Sequence, residues 1–198
     1  MRKVIGLTGG IASGKSTVSL MLKARGCYIC DADAISRTLL MPGGAAYEKT
    51  KEAFPQYVGK DGLFDRKALG SYVFSNEEEL KKLNSITHPI IGRLIREDID
   101  GRDGIIIIDA PLLIEVGLDK LCDKVWLVVA DRETRIKRAA SRSGLSQEQT
   151  AARIDNQMTD DEKLKYADVV IDNSGSIEEL EKRIDELFRE ETDGSKKA

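Results

Sequence analysis

Five short apolar runs, at residues 4–8, 27–30, 105–108, 125–129 and 169–171, break up a chain whose other stretches mostly carry helical periodicity. Ile105-Ile106-Ile107-Ile108 is apolar at every position, so both of its faces need covering. Runs of that kind suit parallel strands enclosed between layers of helices. Strands and helices alternating along one chain predict an α/β fold of the doubly wound type, built on a five-stranded parallel sheet. Residues 16–25 read as the helix after the first strand, stopped by Gly26. Residues 177–190 read as an amphipathic last helix through Ile177, Leu180, Ile184, Leu187 and Phe188. Helix starts are marked at Asn76…Glu79, Ser146…Gln149, Thr159…Glu162 and Ser176…Glu179, each a capping acceptor followed three residues on by Glu or Gln.

Two intervals interrupt the alternation. Residues 34–103 look wholly helical, with turn signals at Pro42-Gly43-Gly44 and Gly59-Lys60-Asp61-Gly62. An insertion between strands two and three is a place to build an acceptor-binding subdomain. Residues 131–166 make a second helical excursion, between strands four and five. A length of 198 residues suits one domain carrying both.

The first strand runs straight into Gly9-Gly10-Ile11-Ala12-Ser13-Gly14-Lys15-Ser16, which fits G-x-x-x-x-G-K-[S/T] between a strand and a helix. Each part serves anion binding. Glycines let backbone N–H groups close around phosphate oxygens, and the following helix directs its positive dipole end at them. Lys15 then reaches the outer phosphates and the Ser16 hydroxyl holds Mg²⁺. The segment reads as a nucleoside triphosphate site, a P-loop.

Composition narrows the partners. The chain is 41% hydrophobic and 33% charged with net charge −3, which argues against nucleic acid as the main partner. No apolar stretch approaches the ~20 residues needed to cross a bilayer. The odd cysteine count (Cys27, Cys30, Cys122) fits a reducing compartment, so a cytoplasmic location is expected. Cys27 and Cys30 have redox-motif spacing, but residues three apart in a strand face opposite sides, which favours buried thiols. His88 beside Pro89, ahead of a helix, reads as a packing residue rather than a base, and Trp126 as core.

Which chemistry follows from a P-loop depends on what surrounds it. There is no guanine-reading Asn/Thr-Lys-x-Asp segment, and Asp172-Asn173-Ser174-Gly175 falls after the last strand, where no terminal phosphate is sensed. Asp109 is followed by Ala110-Pro111, so no water-activating acid stands next to it. Arg135, Arg138 and Arg142 share one face of a helix capped by Asp131. Such a stripe either meets the charge of phosphoryl transfer or forms a solvated face paired with acids. Asp31-Ala32-Asp33 follows the second strand, at the carboxyl edge of the sheet. One acid there can assist the metal and the other take a proton from an attacking hydroxyl, while Asp33 is alternatively the N-cap of a helix at 34–40.

Taken together, Leu7-Thr8-Gly9-Gly10-Ile11-x-Ser13-Gly14-Lys15-Ser16-Thr17 and Asp31-Ala32-Asp33-x-x-x-Arg37 resemble the dephospho-CoA kinases. The likeness continues through Asp61-Gly62-x-x-Asp65-Arg66-x-x-Leu69, His88-Pro89-x-Ile91, Pro111-Leu112-Leu113-x-Glu115, Arg138-x-x-x-Arg142, Arg153-Ile154-x-x-Gln157 and Ala167-Asp168-x-Val170-Ile171-Asp172-Asn173. The resemblance implies ATP-dependent phosphorylation of the ribose 3′-hydroxyl of dephospho-CoA, the last step of CoA synthesis, by a monomer or weak homo-oligomer. It implies catalytic roles for Thr8, Lys15, Asp33 and Arg138, with Asp33 the base. ATP would be held by Gly10, Ile11, Ala12, Ser13, Gly14, Lys15, Ser16, Thr17 and Arg142, and Mg²⁺ by Ser16, with Asp109 a secondary metal candidate. The helical insertion would hold dephospho-CoA and the 131–166 excursion would be a lid. Ala12 stands where such enzymes commonly carry glycine, which a negative φ would accommodate, and Phe54-Pro55 replaces their usual Phe-Gly. Two rival readings use the same residues: a nucleoside or nucleoside monophosphate kinase of this fold, and a non-catalytic nucleotide-binding regulator.

Overall fold

Apolar runs become strands where both faces can be buried, and this chain has five such places. The structure, a computed structural model, describes residues 2–143, 146, 151, 154–155 and 157–193, without the side chains of Arg142 and Ser143. Strands β1 (Arg2–Gly9), β2 (Tyr28–Asp31), β3 (Gly104–Asp109), β4 (Lys124–Val129) and β5 (Val169–Asp172) form one sheet in the order β2-β3-β1-β4-β5. β1 runs parallel to β3 and β4, and β4 parallel to β5. Ile106, Ile107 and Ile108 alternate between the two faces, yet all are 0% exposed. The helices are α1 (Lys15–Ala24), α2 (Ala32–Leu39), α3 (Tyr47–Ala53), α4 (Arg66–Phe74), α5 (Glu77–Ile99), α6 (Arg132–Ser143), α7 (Asp160–Leu164) and α8 (Ile177–Asp193).

The chain divides into two compact units, Met1–Cys30 with Gly101–Ala198, and Asp31–Asp100. In the first, Ile5, Leu7, Ile107, Trp126 and Val128 from the sheet pack with Val18 and Leu22 of α1 and Leu180, Ile184 and Leu187 of α8. Burying each such side chain contributes roughly 1.5–3 kcal/mol. The stop at Gly26 has a defined geometry. Gly26, at φ 89°, donates to the Lys23 carbonyl and Cys27 to that of Leu22, which closes α1 with its last carbonyls satisfied. Cys27 therefore precedes β2 instead of opening it, and Cys27 and Cys30 are both buried. Thr159 and Ser176 each form both halves of the expected capping box. The Asp131 carboxylate caps α6 through the Thr134 N–H at 2.8 Å, and that bond holds its pKa below the ordinary aspartate value. Gln149 of the expected Ser146…Gln149 box lies outside the described residues. Among the described residues, no helix is long and apolar enough to cross a membrane.

The second unit is built on Tyr47, Phe54, Phe64, Leu69 and Val73, against which Leu80, Leu83 and Ile86 of α5 pack. It departs from the all-helical expectation at one point, an antiparallel bridge between Val58 and Phe64 across the Gly59–Gly62 turn. Pro55 opens a single 3-10 turn, Pro55–Tyr57. The helix expected to begin after Pro89 is instead continuous, with Pro89 inside the 23 residues of α5. A proline in a helix removes one hydrogen bond and costs about 3 kcal/mol. Apolar side chains are packed on both sides of it, with Leu80, Leu83 and Ile86 before and the buried Ile95 and Ile99 after. That burial outweighs the loss. His88, half-buried in mid-helix, has its pKa pushed down by desolvation and stays neutral at pH 7.

Ile107→Ala at the centre of the sheet is expected to lower stability by about 2–5 kcal/mol, and Phe74→Ala, whose ring is exposed, by less than about 0.5 kcal/mol. Urea unfolding followed through Trp126 fluorescence measures both.

Candidate active site at the carboxyl edge of the sheet

β1 leaves the sheet at Gly9, and the chain reaches α1 by a loop with little room for side chains. A Cβ on Gly9 would lie 2.6 Å from the Val128 carbonyl oxygen and from Ser13 Oγ. One on Gly14, at φ 97°, would collide with the Asn173 amide, and one on Gly10 with the Arg135 guanidinium. Glycine is required at Gly9 and Gly14, and at Gly10 it leaves the space that the Arg135 guanidinium fills. α1 has neither a side-chain cap nor an acid in its first turn, so its opening amides and dipole are left to an anion. The Ser13 hydroxyl is buried in the loop with no hydrogen-bond partner among the described residues. Ala12 adopts φ 59°, not the negative value expected for a residue other than glycine. A left-handed alanine costs roughly 1–2 kcal/mol, so contacts around the loop must hold it there.

Those contacts come from distant parts of the chain. Gln157 Oε1 accepts the Ile11 N–H at 2.8 Å, and Arg135 Nε donates to the Ile11 carbonyl at 2.9 Å. Asn173 Nδ2 donates to the Ser13 carbonyl at 2.8 Å. Arg135, 7% exposed, is itself fixed by Asp160 at 3.0 Å.

The charged groups gather where the strands end. Leu7 of β1 is in register with Asp109, the last residue of β3, and Lys15 forms an ion pair with the Asp109 carboxylate. The buried Thr8 hydroxyl donates to the Pro111 carbonyl at 3.1 Å. The same carbonyl accepts from Lys163 Nζ at 3.2 Å. Lys163 is fully buried, and its charge is met by Glu115 at 3.0 Å. The Ser16 side chain is exposed at the start of α1, and Thr17 is half-buried one residue on.

The arginine stripe resolves into different roles. Arg132 pairs with Asp155 at 2.8 Å and Arg135 braces the loop. Arg138 donates to the Asn173 carbonyl at 3.0 Å, and the two line a cleft of about 120 Å³ with Gly14, Thr17 and Ile177. The Arg142 side chain lies outside the described residues. Asp172 folds into a local turn, accepting from the Ser174 N–H at 2.9 Å, which leaves it a structural role. In the second unit, Asp31 and not Asp33 caps α2, accepting the Ala34 N–H at 2.9 Å. The chain starts helical geometry at Ala32, so the cap falls two residues before Asp33, which lies in the first turn. Sequence reasoning missed bracing roles for Gln157, Asn173, Asp160 and Lys163. Gln157 and Asn173 fall within the motifs of the family likeness, but their partners lie 146 and 160 positions away, beyond any spacing signal.

A glycine loop entering a helix, a lysine held at the strand ends and the order β2-β3-β1-β4-β5 define a P-loop kinase core. The sequence pattern of the dephospho-CoA kinases matches residues 3–179. The dephospho-CoA kinase of Carboxydothermus hydrogenoformans is 48% identical over 187 residues, spanning 91% of this chain and 90% of that one. Among solved structures, a Thermus thermophilus protein superposes with TM-score 0.84 at 37% identity, covering 96% of this chain and 97% of its own. The Campylobacter jejuni dephospho-CoA kinase does so with TM-score 0.72 at 31% identity, covering 98% and 100%. The chain belongs to the dephospho-CoA kinase family.

Gly14→Ala is expected to weaken ATP binding at least tenfold by calorimetry, because strain at φ 97° and the Asn173 contact act together and about 1.4 kcal/mol suffices for that factor. Burial pushes the Cys27 thiol up to about 11 and the Cys122 thiol up to about 12. At pH 8 roughly one Cys27 in a thousand is then thiolate. Iodoacetamide at that pH should leave both unmodified in the folded protein and alkylate both in urea, as read by mass spectrometry.

Proposed function

We propose that this chain transfers the terminal phosphoryl group of ATP to the ribose 3′-hydroxyl of dephospho-CoA. The observation that carries the reading is the glycine loop with Lys15 held at the strand ends, in a chain of this family. The acceptor oxygen forms a bond to the γ-phosphorus as the bond to the β-phosphate oxygen breaks, and ADP leaves. Lys15 neutralises charge on the outer phosphates, while loop amides and the start of α1 hold the inner ones. Arg138, steadied by the Asn173 carbonyl, presents its guanidinium beside Gly14 and Thr17. Thr8 and Lys163 together fix the Pro111 carbonyl and so the turn after β3. Asp33 takes the proton of the acceptor hydroxyl, a role supported by the Asp31-Ala32-Asp33 motif. The exposed Ser16 hydroxyl and the Asp109 carboxylate are oxygen donors of the kind Mg²⁺ takes, and the ion would neutralise phosphate charge there. An odd number of cysteines, Cys27, Cys30 and Cys122, suits action in the cytoplasm, as a monomer or weak homo-oligomer.

Incubation with ATP, Mg²⁺ and a panel of acceptors tests the assignment, with the phosphate position of the product assigned by mass spectrometry. Faster turnover of a nucleoside monophosphate than of dephospho-CoA sinks it, and so does ATP binding without any product. Asp33→Asn is expected to retain ATP affinity and lower kcat by about 10²–10³. Lys15→Ala should impair both binding and turnover.

A further inference from the structure

Ala12 occupies a left-handed conformation that glycine would adopt freely, and the residues on either side of it, Ile11 and Ser13, are gripped from elsewhere. The Ile11 N–H and carbonyl both belong to side chains, Gln157 Oε1 at 2.8 Å and Arg135 Nε at 2.9 Å. The Ser13 carbonyl belongs to Asn173 at 2.8 Å. Arg135 cannot drift, because Asp160 holds its other edge and Gly10 packs against its guanidinium. The Ile11 N–H, committed to Gln157, and the Ser13 N–H, which donates to the Gly10 carbonyl at 3.1 Å, are therefore fixed points of the loop, and the amides of Gly14, Lys15 and Ser16 are the ones left to meet an anion.

We propose that Gln157 and Arg135 are positioning residues for ATP: they clamp Ile11 and so keep Ala12 in the left-handed conformation that turns the following amides toward the phosphates. Neither touches the reacting atoms. Without the clamp, Ala12 relaxes to an ordinary backbone conformation, and ATP must re-form the loop at the expense of its affinity. The inference rests on the reading of this loop as the ATP site, and it is independent of which acceptor the enzyme uses.

The test is a double-mutant cycle between Gln157→Met, which keeps the side chain's bulk and removes the acceptor, and Ala12→Gly, which makes the left-handed conformation free of strain. Gln157→Met is expected to raise the calorimetric Kd for ATP and the KM for ATP about tenfold, the effect falling on KM rather than kcat. Made in the Ala12→Gly background, the same substitution should raise both less than about threefold. Arg135→Lys, which keeps the charge but loses the planar fork, should show the same dependence on residue 12. Thermal unfolding confirms that each variant is folded. A role in stability alone would lower the melting temperature and show no coupling to residue 12. An unchanged ATP affinity in Gln157→Met, or an equal loss in both backgrounds, overturns the clamp. Wild-type protein that binds ATP but fails to phosphorylate dephospho-CoA overturns the acceptor assignment while the cycle still decides the clamp. Wild-type protein that binds no ATP overturns both.

Discussion

A phosphate-binding loop must leave some of its own amides unpaired, so the hydrogen bond within it, from the Ser13 N–H to the Gly10 carbonyl, cannot fix its shape alone. The restraint has to come from outside, and here strand order supplies it. β1 lies at the centre of the sheet, between β3 and β4, so the loop at its carboxyl end has neighbours on both sides. From the β3 side, Asp109 fixes the ammonium of Lys15. From the segments beyond β4 and β5, Arg135, Gln157 and Asn173 take the peptide groups of Ile11 and Ser13. A loop at an edge strand would be held from one side only.

Two residues break a local rule, and each is compensated differently. Pro89 removes a backbone bond from the interior of α5, and apolar burial on both sides keeps the helix whole. Ala12 takes a conformation suited to glycine, and directional hydrogen bonds to its neighbours keep it there. Burial resists any motion that exposes surface, whereas a hydrogen bond constrains one peptide plane. The first kind of compensation suits a structural helix and the second suits a loop whose amide directions matter.

Much of the fold was legible because its signals are local. Period, caps and the Gly26 stop depend on residues within a few positions of each other, so all five strands and the P-loop could be read directly. Boundaries moved where two local signals competed. Asp31 and Asp33 are both possible caps, and the choice between them depends on where β2 stops, which packing determines. The bracing of the site was not legible. Gln157 and Ile11 stand 146 positions apart, and nothing in either segment alone announces that a neutral amide will take a loop N–H. The sign of φ at Ala12 was hidden for the same reason. Alanine favours a negative φ, and only the distant contacts reverse that preference.

The Lys15–Asp109 pair shows why a partly buried ion pair belongs beside a phosphate site. Both side chains are mostly covered, at 16% and 13% exposure, so an unpaired ammonium there would be poorly solvated. Lysine carries three donors, and one carboxylate need occupy only one of them. The ammonium can therefore keep Asp109 while its remaining hydrogens meet phosphate oxygens, and no bond has to break for a nucleotide to bind. Pairing also sets the local charge near neutral. Attraction for a triphosphate then depends more on oriented amides and the α1 dipole than on net charge, and these act only over short distances and in defined directions. A chain with net charge −3 can in this way hold a highly charged ligand at one loop without a basic surface around it.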